Sequence, residues 1–223
     1  MVINSNRIAF FILLICIYFF NKAGCTIIDS RPKATGVHKT LIDPTAVPFQ
    51  ETYPSDTESP IITKIDGRDT LIIPKASYRI AGRVVSKRRY YMDWTAKLSP
   101  VDLALAWGPL ASKQYDKFLS YSHSDRFYHY EYSSDFPLDS TVIERHSANE
   151  HLIPANPLID KVLKSIKEGE IIELEGFLVN IEGYDGQHET MNMISSLTRE
   201  DTGAGACEII YVTQVKIKNE FWK

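Results

Sequence analysis

Cysteine is scarce in this chain: three in 223 residues, at positions 16, 25 and 207. Cys16 lies inside an N-terminal apolar run and Cys25 just after it. The rest of the chain therefore carries one thiol, and no internal disulfide is available to brace it. A dominant charge is also lacking. Lys+Arg 25 against Asp+Glu 28 leaves a formal net charge of -3, which excludes recruitment to nucleic acid by a global field. No uninterrupted apolar run reaches the ~20 residues that an unaided membrane-spanning helix requires. His146 and His151 stand five apart with no further His/Cys pair nearby, a spacing that suits zinc poorly. No metal or other cofactor is expected.

What is present begins at the N-terminus. Arg7 precedes "IAFFILLICIYFF", Ile8 to Phe20, a run with the length of a signal-peptide core. Ala23-Gly24-Cys25 resembles the end of a bacterial lipobox, with Lys22 where an aliphatic residue is usual. Lys22, Arg31 and Lys33 follow the run while only Arg7 precedes it, which opposes a simple export orientation. These residues predict a membrane-associated protein of the bacterial cell envelope, its domain outside the cytoplasm. The membrane partner would be met through the apolar segment or through a lipid on Cys25.

Three regions follow from composition. Residues 1–25 form the signal or anchor segment. Residues 26–60 are dotted with Pro32, Pro44, Pro48, Pro54 and Pro60, which predicts an extended tether. Residues 61–223 form one domain. "IITKIDGRDTLII" predicts a hairpin around Asp66-Gly67. "SYRIAGRVV" alternates apolar and basic residues as a half-buried strand does. "SPVDLALAWG" predicts a short helix, with Ser99 as cap, Pro100 in the first turn and Gly108 at its end. "SDRFYHYEY" predicts another strand. "NPLIDKVLKSIKEGE" predicts a helix capped by Asn156, with the stripe Leu158, Ile159, Val162, Leu163 and Ile166. In "IIELEGFLVNI" the apolar parity switches at Gly176, which predicts a bulge or bend there. "YRIAGRVV" and "IELEGFLV" echo each other as strands bent at glycine. The sum is a β-rich α+β domain: a small, partly open β-barrel of the OB or SH3-like kind with two short helices.

Three stretches carry chemistry, each with a plain alternative. In "SSLTREDTGAGACE", Gly203 and Gly205 supply turn geometry, and Cys207 opens the next strand in parity with Ile209, Tyr211, Val215 and Ile217. That parity predicts a buried cysteine acting as a small hydrophobe. The sharper alternative is a nucleophile with His146 or His151 as base. Arg199, Glu200 and Asp201 are a solvated loop or a binding rim. "ERHSANEHLIPAN" holds His146, Ser147, Asn149 and His151, residues that tie down loops or line a site. "SKRRYYMDW" sets Lys87, Arg88 and Arg89 beside Tyr90, Tyr91 and Trp94, which is single-strand-binding chemistry or the wet end of a strand.

The blocks "YRIAGRVVSKRRYY", "LSPVDLALAWGPLA", "HSANEHLIPAN" and "SSLTREDTGAGACE" resemble those of an uncharacterised bacterial family of signal- or membrane-anchored proteins. The resemblance spans Tyr78 to Val215. It implies an envelope setting and assigns no catalytic role. The favoured expectation is therefore an envelope-tethered binding domain for a protein or small-molecule partner, its surface formed by His146, Asn149, His151, Arg199, Glu200 and Asp201. A Cys/His hydrolase using Cys207 is the first alternative, and single-stranded nucleic-acid binding the second.

Overall fold

The computed structural model describes residues 31–54, 59–65, 67–92, 94–185, 188–198, 200 and 205–223. Their order is β1 (Gly36–Val37), β2 (Phe49–Thr52), β3 (Ile61–Ile65), β4 (Arg68–Arg89), α1 (Trp94–Leu98), β5 (Val101–Ala106), β6 (Leu119–Ser124), β7 (Phe127–Tyr132), α2 (Thr141–His146), β8 (Ser147–Pro154), α3 (Pro157–Ser165), β9 (Ile171–Asp185), β10 (His188–Met193), β11 (Glu208–Ile217) and β12 (Glu220–Trp222). Ten strands form one mixed sheet, and β6 and β7 form a separate hairpin. Within the sheet β11, β8, β5, β4 and β9 pair in sequence, and β9 pairs β11 again, so the path is ring-like. The domain is β-rich α+β as expected. It is a mixed sheet of ring-like strands and not a closed barrel, and three α-helices stand among the described residues where two were expected.

The main core lies on one face of this sheet. Leu103, Leu105, Leu152, Ile172, Leu174, Ile210 and Val215 meet the apolar stripe of α3 there. Asn156 caps α3 as its sequence predicts, its side chain accepting from the backbone N–H of Leu158 and Ile159. Ile159, Val162, Leu163 and Ile166 are buried. Their burial contributes roughly 6–12 kcal/mol before ordering costs. The helix ends at Ser165, short of Gly169, which instead takes a left-handed turn with φ 84°.

Three expectations are corrected here. The proline-dotted segment is not a tether throughout, because the compact unit begins at Arg31. Arg31 pairs with Glu170 at 2.6 Å, the Trp222 indole donates to the Pro32 carbonyl, and β1 and β2 join the sheet. Prolines kept helices out of this segment, but they left room for short edge strands. Second, "SPVDLALAWG" is the fully buried strand β5, not a helix. A short apolar run satisfies both periods, and pairing on both sides by β4 and β8 decides for strand. Third, β9 carries the parity switch without bulging. Ile172, Leu174 and Leu178 face the main core, whereas Phe177, Val179 and Ile181 face a second cluster on the opposite side. The bulge falls on β11, between Val212 and Gln214 opposite Gly176.

That crossing explains the glycine. A Cβ on Gly176 would stand 2.0 Å from the Tyr211 carbonyl oxygen, so the two backbones could not keep their approach. Gly176→Ala is expected to destabilise the domain by at least about 3 kcal/mol. Urea unfolding measures it, and a loss under about 1 kcal/mol would show that the strands part freely there.

Candidate active site

The second face of the sheet holds a polar band between two small apolar clusters. Directly opposed residues of antiparallel strands share a face, and so do residues two apart along one strand. Asp102 of β5 opposes His151 of β8, and Ala104 opposes Asn149. In β11, Ile209 lies beside His151, which puts Cys207 one step back, in the row of Asn149. Three neighbouring strands thus bring an acid, an imidazole, an amide and a thiol onto one face.

The geometry at this face is specific. His151 Nδ1 lies 3.0 Å from Asp102 Oδ1, with Asp102 at 0% and the His151 side chain at 8% exposure. The contact is an ion pair rather than an aligned hydrogen bond, since Nδ1 has no hydrogen-bond partner, and Cys207 is the other group that acts on this imidazole. Burial pulls the imidazole down, but the nearby Asp102 and Cys207 outweigh it and raise His151 to about 9. His151 is therefore an imidazolium at neutral pH. Cys207 is half-buried rather than sealed in the core. Asn149 Nδ2 donates to its Sγ across 3.5 Å.

Each of these groups is held from behind. Asn149 Nδ2 also donates to the Arg126 carbonyl at 2.8 Å, and its Oδ1 accepts from His123 Nε2 at 3.0 Å. Burial lowers His123 against the opposing Asn149 bond, so it stays neutral. With Nε2 donating, its Nδ1 accepts from the Ser86 hydroxyl at 2.8 Å. Arg126 Nη1 reaches Asp102 Oδ1 at 3.2 Å and the Ser99 carbonyl at 2.8 Å. Its guanidinium lies 3.7 Å from the centre of the Tyr90 ring. The Tyr90 phenol is pushed up, by burial first and by Asp102 next, so it remains neutral. Ser196 N–H anchors the Cys207 carbonyl, and Ser195 Oγ accepts from Ile209 N–H.

The hairpin of β6 and β7 delivers His123 and Arg126 at a cost. Asp125 and Arg126 form its turn with φ 48° and 69°. This left-handed pair normally selects Asn-Gly, and a side chain there costs about 1 kcal/mol per residue. The Arg126 carbonyl and guanidinium both serve the site, which is where such strain is kept.

The candidates named from sequence divide accordingly. Asn149, His151 and Cys207 come together, but Asn149 and His151 are buried and do not form a binding surface. His146 is turned elsewhere, its Nδ1 against the Val142 carbonyl and its ring against Trp107. Glu200 is exposed, while Arg199, Asp201 and Cys25 lie outside the described residues. Cys207 does not share a core face with Val215 and Ile217, because the bulge after Val212 reverses the parity between them. In the Lys87–Trp94 stretch one aromatic is free to the solvent, Tyr91, with Arg89 over its ring, and the others are engaged. Lys87 Nζ donates to carbonyls at the end of α3, Tyr90 lies under Arg126, and Trp94 packs under Arg68. Asp102, Arg126, His123 and Ser86 were missed. Asp102 had a signal: it is the one charge in the run Val101 to Ala106, an anomaly for a buried strand.

Comparison with models of known protein families, with characterised proteins and with solved structures finds no match, so the site is read from its own geometry.

Proposed function

We propose that this chain is a cysteine-dependent hydrolase or acyltransferase, with Cys207 as nucleophile and His151 as proton carrier. Asp102 positions His151. The observation that carries the reading is Asp102 and His151 opposed in one row, 3.0 Å apart, with Cys207 in the next row of the same face. An imidazolium beside a sulfur favours the thiolate, the attacking form. Sγ attacks an acyl carbon and an S–C bond forms. The bond to the leaving group breaks, and the leaving group takes the proton that His151 Nε2 holds. Water activated by His151, or a second acceptor, then releases the acyl group and restores the thiol. Asn149 Nδ2, beside Sγ, is placed to hydrogen-bond the oxygen of the tetrahedral adduct.

A structural cysteine needs none of this. Burying Asp102 and a charged His151 costs several kcal/mol that apolar residues of the same volume would not. The setting remains that of the N-terminal residues: Ile8–Phe20 and Ala23-Gly24-Cys25 support an envelope protein tethered at the membrane. The ring-like pairing supports kinship with small, partly open barrels.

Incubation with p-nitrophenyl acetate, followed by acid quench and peptide mapping, tests the reading. Acetyl is expected on Cys207 at least about a hundredfold faster than on a peptide spanning residues 205–212. Equal rates on protein and peptide would sink it.

A further inference from the structure

One row beyond the nucleophile, the same face opens into a cavity. It measures about 140 Å³ and is lined by Leu98, Ile153, Ile181, Met193 and Ile209, with His151 and Arg126 in its wall. Thr95 and Ser99 complete it. Most polar groups in that wall are turned away: Arg126 is bonded to Asp102, the Ser99 carbonyl and Thr95 Oγ1, and His151 Nδ1 lies against Asp102, while the Ser99 hydroxyl is buried without a hydrogen-bond partner. The rest of the lining is aliphatic. A cavity near 150 Å³ lined by aliphatic side chains stays dry and takes a group of about benzene size.

We infer that this cavity is the acyl-chain pocket of the enzyme and selects small apolar acyl groups of about four to six carbons. The inference rests on the proposed role of Cys207. Cys207 immediately precedes β11 and Ile209 is the second residue of that strand, roughly 7 Å further along, where it stands beside His151. An acyl carbon bound at Sγ thus has His151 on its flank and the cavity ahead of it. A chain of two carbons stops short of the pocket. One of four to six reaches in and displaces no polar contact. A charged chain meets a mostly aliphatic lining in which few polar groups, the Ser99 hydroxyl among them, lack a hydrogen-bond partner, and pays most of its desolvation. In the acylation step the Cys207 thiolate forms the S–C bond, the ester C–O bond breaks, and p-nitrophenolate leaves with the electron pair of that bond.

The test uses p-nitrophenyl esters from acetate to octanoate on the full chain, with acyl-Cys207 read by mass spectrometry. Each methylene that enters the pocket is expected to raise the acylation rate about fourfold, as burial of a CH₂ predicts. The rise should stop at six carbons and reverse by eight. Met193→Trp fills the cavity from its half-exposed rim. It should flatten the chain-length series, with thermal unfolding confirming that the domain is intact. A flat series in the unaltered protein overturns the pocket while leaving acyl-Cys207 standing. An unchanged series in a folded Met193→Trp variant overturns it too. Absence of acyl-Cys207 with every ester overturns both the pocket and the proposed function.

Discussion

His151→Ala is expected to slow acylation of Cys207 by 10²–10⁴-fold, the range over which positioned general acid–base groups contribute. The imidazole is the one group that meets both Asp102 and Cys207. Without it the thiol loses its proton acceptor and the leaving group loses its donor. His146→Ala is the control, since its ring packs on Trp107 and its Nδ1 bonds the Val142 carbonyl. That variant should acylate at the native rate. Cys207→Ala should carry no acyl group at that position's tryptic peptide. Stopped-flow release of p-nitrophenolate measures the first two. Equal losses in His151→Ala and His146→Ala would mean that the effect is on folding and not on the site.

Asp102→Ala is expected to lower the unfolding free energy by about 3 kcal/mol, because it strands the buried His151 and the half-buried Arg126. The pH dependence separates the two. In the folded protein His151 titrates at about 9, above its ordinary 6.5. A group raised on folding binds its proton more tightly in the native state. Its contribution is complete below pH 6.5 and is lost as pH climbs through 9. The span amounts to roughly 3 kcal/mol, from 1.36 kcal/mol per pKa unit. Asp102→Asn keeps the shape and removes the charge, so this alkaline loss should shrink and His151 should titrate lower than in the native protein, with only Cys207 left to oppose burial. Urea titrations from pH 6 to 9.5 and NMR of the imidazole protons read both. An Asp102→Asn protein with the native alkaline slope would remove Asp102 from its positioning role.

Much of the fold was legible locally. The Asn156 cap and the α3 stripe are signals contained within fifteen residues, and the structure places both as read. The hairpin about Asp66-Gly67 pairs as expected, Gly67 taking φ 80°, though Asp66 itself lies outside the described residues. β5 was misread because its evidence is not local. Val101 to Ala106 is a strand only because β4 and β8 bond both of its edges. The same pairing makes Asp102 the carboxylate behind His151. Parity for Cys207 failed for a related reason. Period-two counting assumes a regular strand, and the bulge opposite Gly176 breaks the count at Thr213.

The residue types of the site were in the sequence: a lone thiol after a glycine turn, and His151 and Asn149 in one polar stretch. Composition by itself also determined that no disulfide braces the domain and that no global charge draws nucleic acid to it. What the tertiary structure decided is which of those residues act together. Asp102, Arg126, Asn149, His151 and Cys207 span more than a hundred residues of chain and share no local motif. Strand order and register put them in adjacent rows on one face, and a one-residue slip in β8 or β11 would have turned His151 or Cys207 into the opposite core. Register follows from the summed burial of both faces of the sheet, a global free energy that no short stretch of this sequence contains.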